Sequence, residues 1–429
     1  MIYLPIKLKM YLNNVKFKQF WLAIAISNIA LSIYIIAFSW LTVKHYGALG
    51  IAMTAFGYAI PNIMLVRFGG LVSDRFNKRM LYIIYITLYI LSGLILSVAC
   101  VIETPSLWFL VGISIVTGVI SAFSAPTHKS IISGLVDAPQ IAPTQQLFDL
   151  AVSLGFVIGP MLSSSILSLQ NTYISNANGA YAFLIYICGM FPLILSIPKT
   201  SLAPNLQDQI QAQTPTLKHG IKNIIDGFLY LYSDRRLKIL MWLLSIVLIL
   251  GMPFASLLSV FARDHKTMLH TATFFSEISM CLGIGNLLGS LAGIGFTKIF
   301  KKTGFLFLLL IVGLCLSVVI TITQANFLGI VLSIMFFGFF GTLIINLLTD
   351  LIQSLTIETM RGRIAAFYQS AQGLQAMSAG LAGLIIHLLS QSSYSSYRAY
   401  ELVELTMIGL LGILTLLSTQ TILRLNRTL

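Results

Sequence analysis

The chain has 429 residues, of which 57% are hydrophobic and only 9% charged, and its mean hydropathy is +0.91. Such a balance excludes a soluble globular enzyme and suits a chain that crosses a membrane many times. A formal net charge of +13 would by itself admit a nucleic-acid binder, so the placement of that charge has to decide.

Spanning a bilayer as a helix takes roughly 20 apolar residues. Twelve such runs are legible, near 20–43, 50–72, 80–102, 107–128, 143–168, 180–198, 238–262, 272–297, 305–323, 326–350, 364–389 and 400–423. The run from Phe20 to Val43 follows Lys7 to Lys18, but it is longer than the apolar core of a signal peptide and reads as a retained first span. Short alternating strands are missing, which argues against a barrel. On this map 22 of the 26 lysines and arginines fall on one side. That bias predicts both termini in the cytoplasm, and it assigns the basic balance to topology and not to nucleic acid. Cys100, Cys188, Cys281 and Cys315 are scattered through the spans without metal-ligand spacing.

Between the second and third runs lies Gly69-Gly70-Leu71-Val72-Ser73-Asp74-Arg75-Phe76-Asn77-Lys78-Arg79, the densest polar cluster between two spans. Charges left in hydrocarbon are costly, so this stretch belongs at the water interface. Asp74 stands near the C-terminal end of its helix, where the macrodipole disfavours an anion and a positive partner is required. One reading docks it on the start of the eleventh span, with Arg361 or Arg363, as a gating latch. The other pairs it inside its own loop with Arg75 or Arg79.

Two halves follow from the order of the runs. Residues 1–198 form a first six-helix bundle, 199–237 a cytoplasmic linker with an amphipathic helix from Ile221 to Leu237, and 238–429 a second six-helix bundle. A shift of 223 residues carries Gly70 to Gly293, Arg75 to Lys298, Lys78 to Lys301 and Arg79 to Lys302, at the same place in each half. Two similar halves in a membrane suggest a carrier with its site between them, at the midplane.

Ionisable residues inside spans are the scarcest signal. Asp149 in the fifth span and Glu277 in the eighth are proton-coupling candidates; a structural pair for Asp149 and a solvated interface for Glu277 are the bland alternatives. Asp350, His128 and His387 read as interfacial. Asn28 and Ser32 share a helical face, and with Asn346, Gln369 and Gln372 they are substrate-cavity candidates, against the alternative of polar glue between helices. Gly251 and Pro253 mark a kink in the seventh span, either a gate or a fixed bend. No P-loop occurs, and the loops are too short to fold a catalytic domain, so no enzyme activity and no cofactor are expected.

Gly70, Asp74, Arg75, Lys78 and Arg79, with Pro61 before them, resemble the loop signature of the major facilitator superfamily. Ala125-Pro126-Thr127, Ala142-Pro143, Gly155, Gly159-Pro160, Asp226-Gly227-Phe228, Arg235-Arg236 and Arg361-Gly362-Arg363 are similar to the branch of enterobactin exporters, macrolide efflux pumps and lysophospholipid transporters. The resemblance implies an all-α membrane protein, twelve transmembrane helices in two pseudo-symmetric six-helix bundles. It implies an exporter of a small organic molecule, such as a siderophore or macrolide-like drug, working as a monomer in the bacterial inner membrane; the missing P-loop favours a gradient-driven, proton-coupled carrier. An importer or lysophospholipid carrier is the alternative. Gly155, Gly159 and Pro160 would then be helix-packing residues. Two departures stand out: the fourth span, Leu107 to His128, has no arginine, unlike the drug/proton antiporters, and Ser163 and Ser164 stand where the antiporter motif has glycines.

Overall fold

The computed structural model describes residues 15–133, 141–173, 179–197, 229–265, 271–299, 303–324, 326–357, 360–392 and 394–418; inside some helices it describes the backbone alone. These residues form α1 (Val15–Arg75), α2 (Lys78–Ile102), α3 (Leu107–Ser133), α4 (Ile141–Tyr173), α5 (Ala180–Ser196), α6 (Arg235–Ile246), a π-helical turn (Val247–Gly251), α7 (Pro253–Asp264), α8 (Ala272–Ile299), α9 (Thr303–Thr323), α10 (Phe327–Leu355), α11 (Arg361–Ser392) and α12 (Ser396–Leu417).

Nine helical stretches among the described residues are apolar and long enough to cross a bilayer. One of them, Phe17–Val66, has 50 residues. At about 1.5 Å per residue it would reach roughly 75 Å, more than twice the hydrocarbon thickness. It breaks at Gly47, with φ 64° and ψ −152°, and so supplies two spans. The shorter apolar helices Leu150–Ile166 and Ala180–Ser196 bring the total to the expected twelve.

The stretch that dominates the sequence builds a tight corner. Phe76 N–H donates to Val72 O at 3.2 Å and closes the last turn of α1. Asn77 then caps α2, its side-chain oxygen accepting from the N–H groups of Arg79 (3.0 Å) and Met80 (3.4 Å). The amphipathic linker helix expected up to Leu237 is described from residue 229, where it is helical to 233. It stops at Asp234, which caps α6 by accepting from Arg236 N–H at 2.8 Å.

The chain forms two compact units, one of residues Met1–Phe38 with Pro61–Ile224, the other of Ser39–Ile60 with Ile225–Leu429. In the first, Gly155 and Gly159 of α4 press on the first arm of α1. A Cβ on Gly155 would stand 2.7 Å from the Asn28 carbonyl carbon, and one on Gly159 would stand 2.5 Å from Ser32 Cβ. Trp21 Nε1–H donates to Leu147 O at 2.9 Å, and Phe148 meets the rings of Phe17 and Phe20, each at 5.8 Å. The second arm of α1 meets α3 at Gly69, where a Cβ would fall 2.3 Å from Ala122 O. Helices α2 and α5 join through Gly93 on Tyr186 and through Ser97 Oγ, which donates to Ala180 O.

The second unit repeats this pairing. Helices α8 and α10, the eighth and tenth spans, interlock as the second and fourth do. A Cβ on Gly285 would lie 2.0 Å from Met335 O, one on Gly289 2.6 Å from Phe339 O, and one on Gly338 2.5 Å from Leu282 O. Thr342 Oγ1 donates to Asn286 Oδ1 across that seam at 3.0 Å. Helices α9 and α12, the ninth and twelfth spans, join through Tyr397 Oη, which donates to Ile322 O at 3.0 Å, as α2 and α5 join in the first unit. Lipid tails supply no hydrophobic drive between helices, so close backbone contact at small residues holds such a bundle together. The two sets of pairs match the expected two-fold repeat.

Candidate functional site

The kink expected at Gly251 and Pro253 has a defined geometry. Pro253 is the first residue of α7 and lacks an N–H, so the carbonyl four residues earlier, on Ile249, loses its ladder partner. The helix absorbs the break as a π turn, with Met252 N–H donating to Val247 O at 3.2 Å. Ser378 Oγ of α11 donates to the freed Ile249 carbonyl. A hydroxyl on a second helix thus replaces the missing backbone donor and ties α11 to the seventh span.

At the other end of α7, Arg263 forms a clamp. Its Nε and Nη2 donate to the two carboxylate oxygens of Asp264 at 2.6 and 2.8 Å. Its Nη1 donates to Val43 O at 2.9 Å, in the last turn of the first arm of α1 before the break at Gly47. The guanidinium also lies against Gly47, where a Cβ would fall 2.6 Å from Nη1. The segment Ser39–Ile60 is held further along by Gly380, whose Cβ would stand 3.2 Å from Ala52 O, and by Gly383, 3.1 Å from Ala48 O. Neither the clamp nor the Ser378 bond was visible in the sequence, because 220 residues separate Arg263 from Val43 and 129 separate Ser378 from Ile249.

A small groove of about 260 Å³, counting the part open to solvent, lies between α8, α9 and α10. Gly293, Leu306, Leu310, Leu343, Asn346 and Asp350 line it. It brings the cavity candidate Asn346 together with Asp350, one turn on along the same face, and with Gly293, the repeat counterpart of Gly70.

The remaining expected site residues are placed as follows. Asn28 is half-buried and its Nδ2 donates to Ile24 O at 2.9 Å, while Ser32 is buried; both lie on the seam with Gly155 and Gly159. Pro160 is buried next to that seam, and Ser163 Oγ donates to Gly159 O at 3.0 Å. Glu277 is exposed in the second turn of α8. Arg79 is half-buried in the first turn of α2. Gly70, Asp74 and Arg75 end α1, Asp149 sits in α4, and Arg361, Arg363, Gln369 and Gln372 belong to α11; beyond that backbone position they lie outside the described residues.

One acid was missed. Glu404 of α12 is fully buried, and neither carboxylate oxygen has a hydrogen-bond partner. A run start placed near residue 400 makes Glu404 look like an interfacial charge. The helix in fact begins at Ser396, which carries Glu404 two turns inside.

Several solved structures with this architecture are transporters. A mutant of the nucleoside transporter NupG superimposes with a TM-score of 0.72 at 12% identity, covering 95% of this chain and 100% of its own. A POT family transporter in complex with 5-aminolevulinic acid gives 0.68 at 13% identity, over 94% and 96%. A D-xylose-proton symporter gives 0.66 at 13% identity, over 92% and 97%. At such identities the likeness establishes the fold alone. No curated protein matches the sequence. The sequence profile of the Major Facilitator Superfamily matches residues 20–380, most of the chain, and with the twelve spans and their repeated pairing it shows that this multi-pass membrane protein belongs to the major facilitator superfamily.

Proposed function

We propose that the chain is a secondary active transporter that exports a small organic molecule, of siderophore or macrolide type, in exchange for protons by alternating access. The observation that carries the transport part is the family match over residues 20–380 on a twelve-span fold. Export rests on the branch resemblance of the stretches around Pro126, Pro143, Gly155 and Arg361. In this reading the protein works as a single chain in the bacterial cytoplasmic membrane with both termini inside. The Gly70 to Arg79 corner gates it: Asp74 acts as the latch with Arg75, Arg79, Arg361 or Arg363, and Asp149 and Glu277 carry protons. Asn28, Ser32, Asn346, Gln369 and Gln372 are the proposed substrate contacts.

Import is the second reading, favoured by a proton symporter among the structural neighbours. Accumulation of candidate compounds in cells with and without the gene separates the two. Higher retention without the gene supports export, and lower uptake supports import. Iron-starved cultures assayed for chelator in the medium test the siderophore reading: an unchanged chelator level on deletion removes it. Asp74→Asn should cut transport while the protein reaches the membrane at near-normal level, and unchanged rates would remove the latch.

A further inference from the structure

We propose that Glu404 is a proton-binding site in the second unit, occupied in the present conformation and emptied when the seventh span flexes at its π turn. Glu404 stands eight residues into α12, about 12 Å along the helix from Ser396. It has no solvent exposure, and both carboxylate oxygens lack partners. Tyr400, one turn earlier on the same face, is also fully buried, and its hydroxyl is likewise unpartnered. Two orphaned polar side chains in one apolar interior are uncommon in folded proteins and call for an explanation.

Among the described residues, the groups on the surrounding elements supply no counter-charge. Helix α12 packs against α7, α9, α11 and the π turn. On α7, Arg263 and Asp264 are bound to each other, and Arg263 also donates to Val43 O. His265, just beyond, packs its ring on Phe261 (5.0 Å) and Tyr397 (5.4 Å). The π turn carries no titratable residue, and α9 carries only Cys315, whose thiol donates to Ile408 O. On α11, His387 is bonded to Gln391, and Arg361, Arg363 and Tyr368 stand in its first turns. On α12 itself are Tyr397, Arg398 and Glu401. The Arg263–Asp264 pair is the one ion pair among the described residues. An ionised carboxylate in this place would be uncompensated, and binding a proton is the cheapest way to relieve it. A metal is a poor alternative, since no group of three or more His, Cys, Asp or Glu side chains gathers among the described residues.

The wall of the site is tied to the π turn. Tyr400 packs its ring on Phe261 of α7 at 5.7 Å. Leu411 of α12 stands 3.3 Å from where a Cβ on Gly251 would lie, at the end of the π turn. A change of angle between α6 and α7 would therefore move Phe261 against Tyr400, one turn from Glu404. A displaced wall admits water, and a hydrated carboxyl releases its proton.

Coupling of this proton to substrate rests on the proton-exchange reading above, but the site itself is testable without a substrate. The full chain, reconstituted in liposomes, is titrated with pH and followed by infrared difference spectroscopy in the C=O stretch of protonated carboxyls. A titrating band that is lost in Glu404→Gln and displaced in Tyr400→Phe is the expected result. Glu404→Asp should restore a displaced band, and it serves as the reporter if Glu404→Gln does not fold. A band kept in full by Glu404→Gln, or a carboxyl that stays protonated at every pH the protein survives, would overturn the site. Separately, substrate flux indifferent to a proton gradient would overturn the coupling reading while a titrating Glu404 band upheld the site.

Discussion

Replacing Gly47 with alanine isolates the energetics of the bend in α1. The φ of 64° and ψ of −152° fall in a region that is essentially reserved for glycine. An alanine held there costs about 1–3 kcal/mol in backbone strain. Its Cβ would also stand 2.6 Å from Arg263 Nη1, so the guanidinium must move and release Val43 O, now 2.9 Å away. A bond from a charged donor to a carbonyl contributes about 1.5–3 kcal/mol. The Arg263 side chain is 26% exposed, so about 1 kcal/mol is a fair share after solvent screening. Gly47→Ala should therefore destabilise by about 2–4 kcal/mol, and Arg263→Gln by about 1 kcal/mol. Because the two changes break one shared bond, the double variant should fall short of additivity by about 1 kcal/mol. Heat-induced unfolding of the purified chain in detergent, run on the full cycle, measures all three. Strict additivity, or a Gly47→Ala protein as stable as the parent, would refute the clamp.

Three further outcomes are expected. Gly285→Ala should destabilise by up to about 2 kcal/mol, since overpacking at a backbone oxygen outweighs the gain in helix propensity; Gly112→Ala, with nothing within 4 Å, should be neutral or stabilising in the same melting assay. Ser378→Ala leaves the Ile249 carbonyl without its donor and should cost about 1–3 kcal/mol. Pro253→Ala restores an N–H at the break, so adding it to Ser378→Ala should recover part of that loss, and a double variant no better than Ser378→Ala in thermal unfolding would count against the account of the π turn.

The architecture was legible because hydropathy and the shifted match of Gly70 on Gly293 are properties of the chain itself. The twelve runs, the corner at Asn77 and the kink at Pro253 all follow from local chemistry: apolar length, a capping side chain, a missing N–H. What periodicity leaves open is which neighbour takes a given face. Asn28 and Ser32 share a face by spacing, but only the fold sets Gly155 and Gly159 against them. Nothing in the pattern around Arg263 says that its partner is a carbonyl 220 residues away. Glu404 escaped notice for a smaller reason. A four-residue difference in where α12 begins decides whether that acid meets water or the interior of the bundle.

The glycine seams and the π turn distribute compliance unevenly. Where Gly285 and Gly289 let the backbones of α8 and α10 touch, the two helices resist bending together, as layers glued into one beam do. The seventh span has the opposite character, since at Ile249 its ladder is completed by a hydroxyl borrowed from α11. Load on such an assembly would deflect the π turn before the glycine seams.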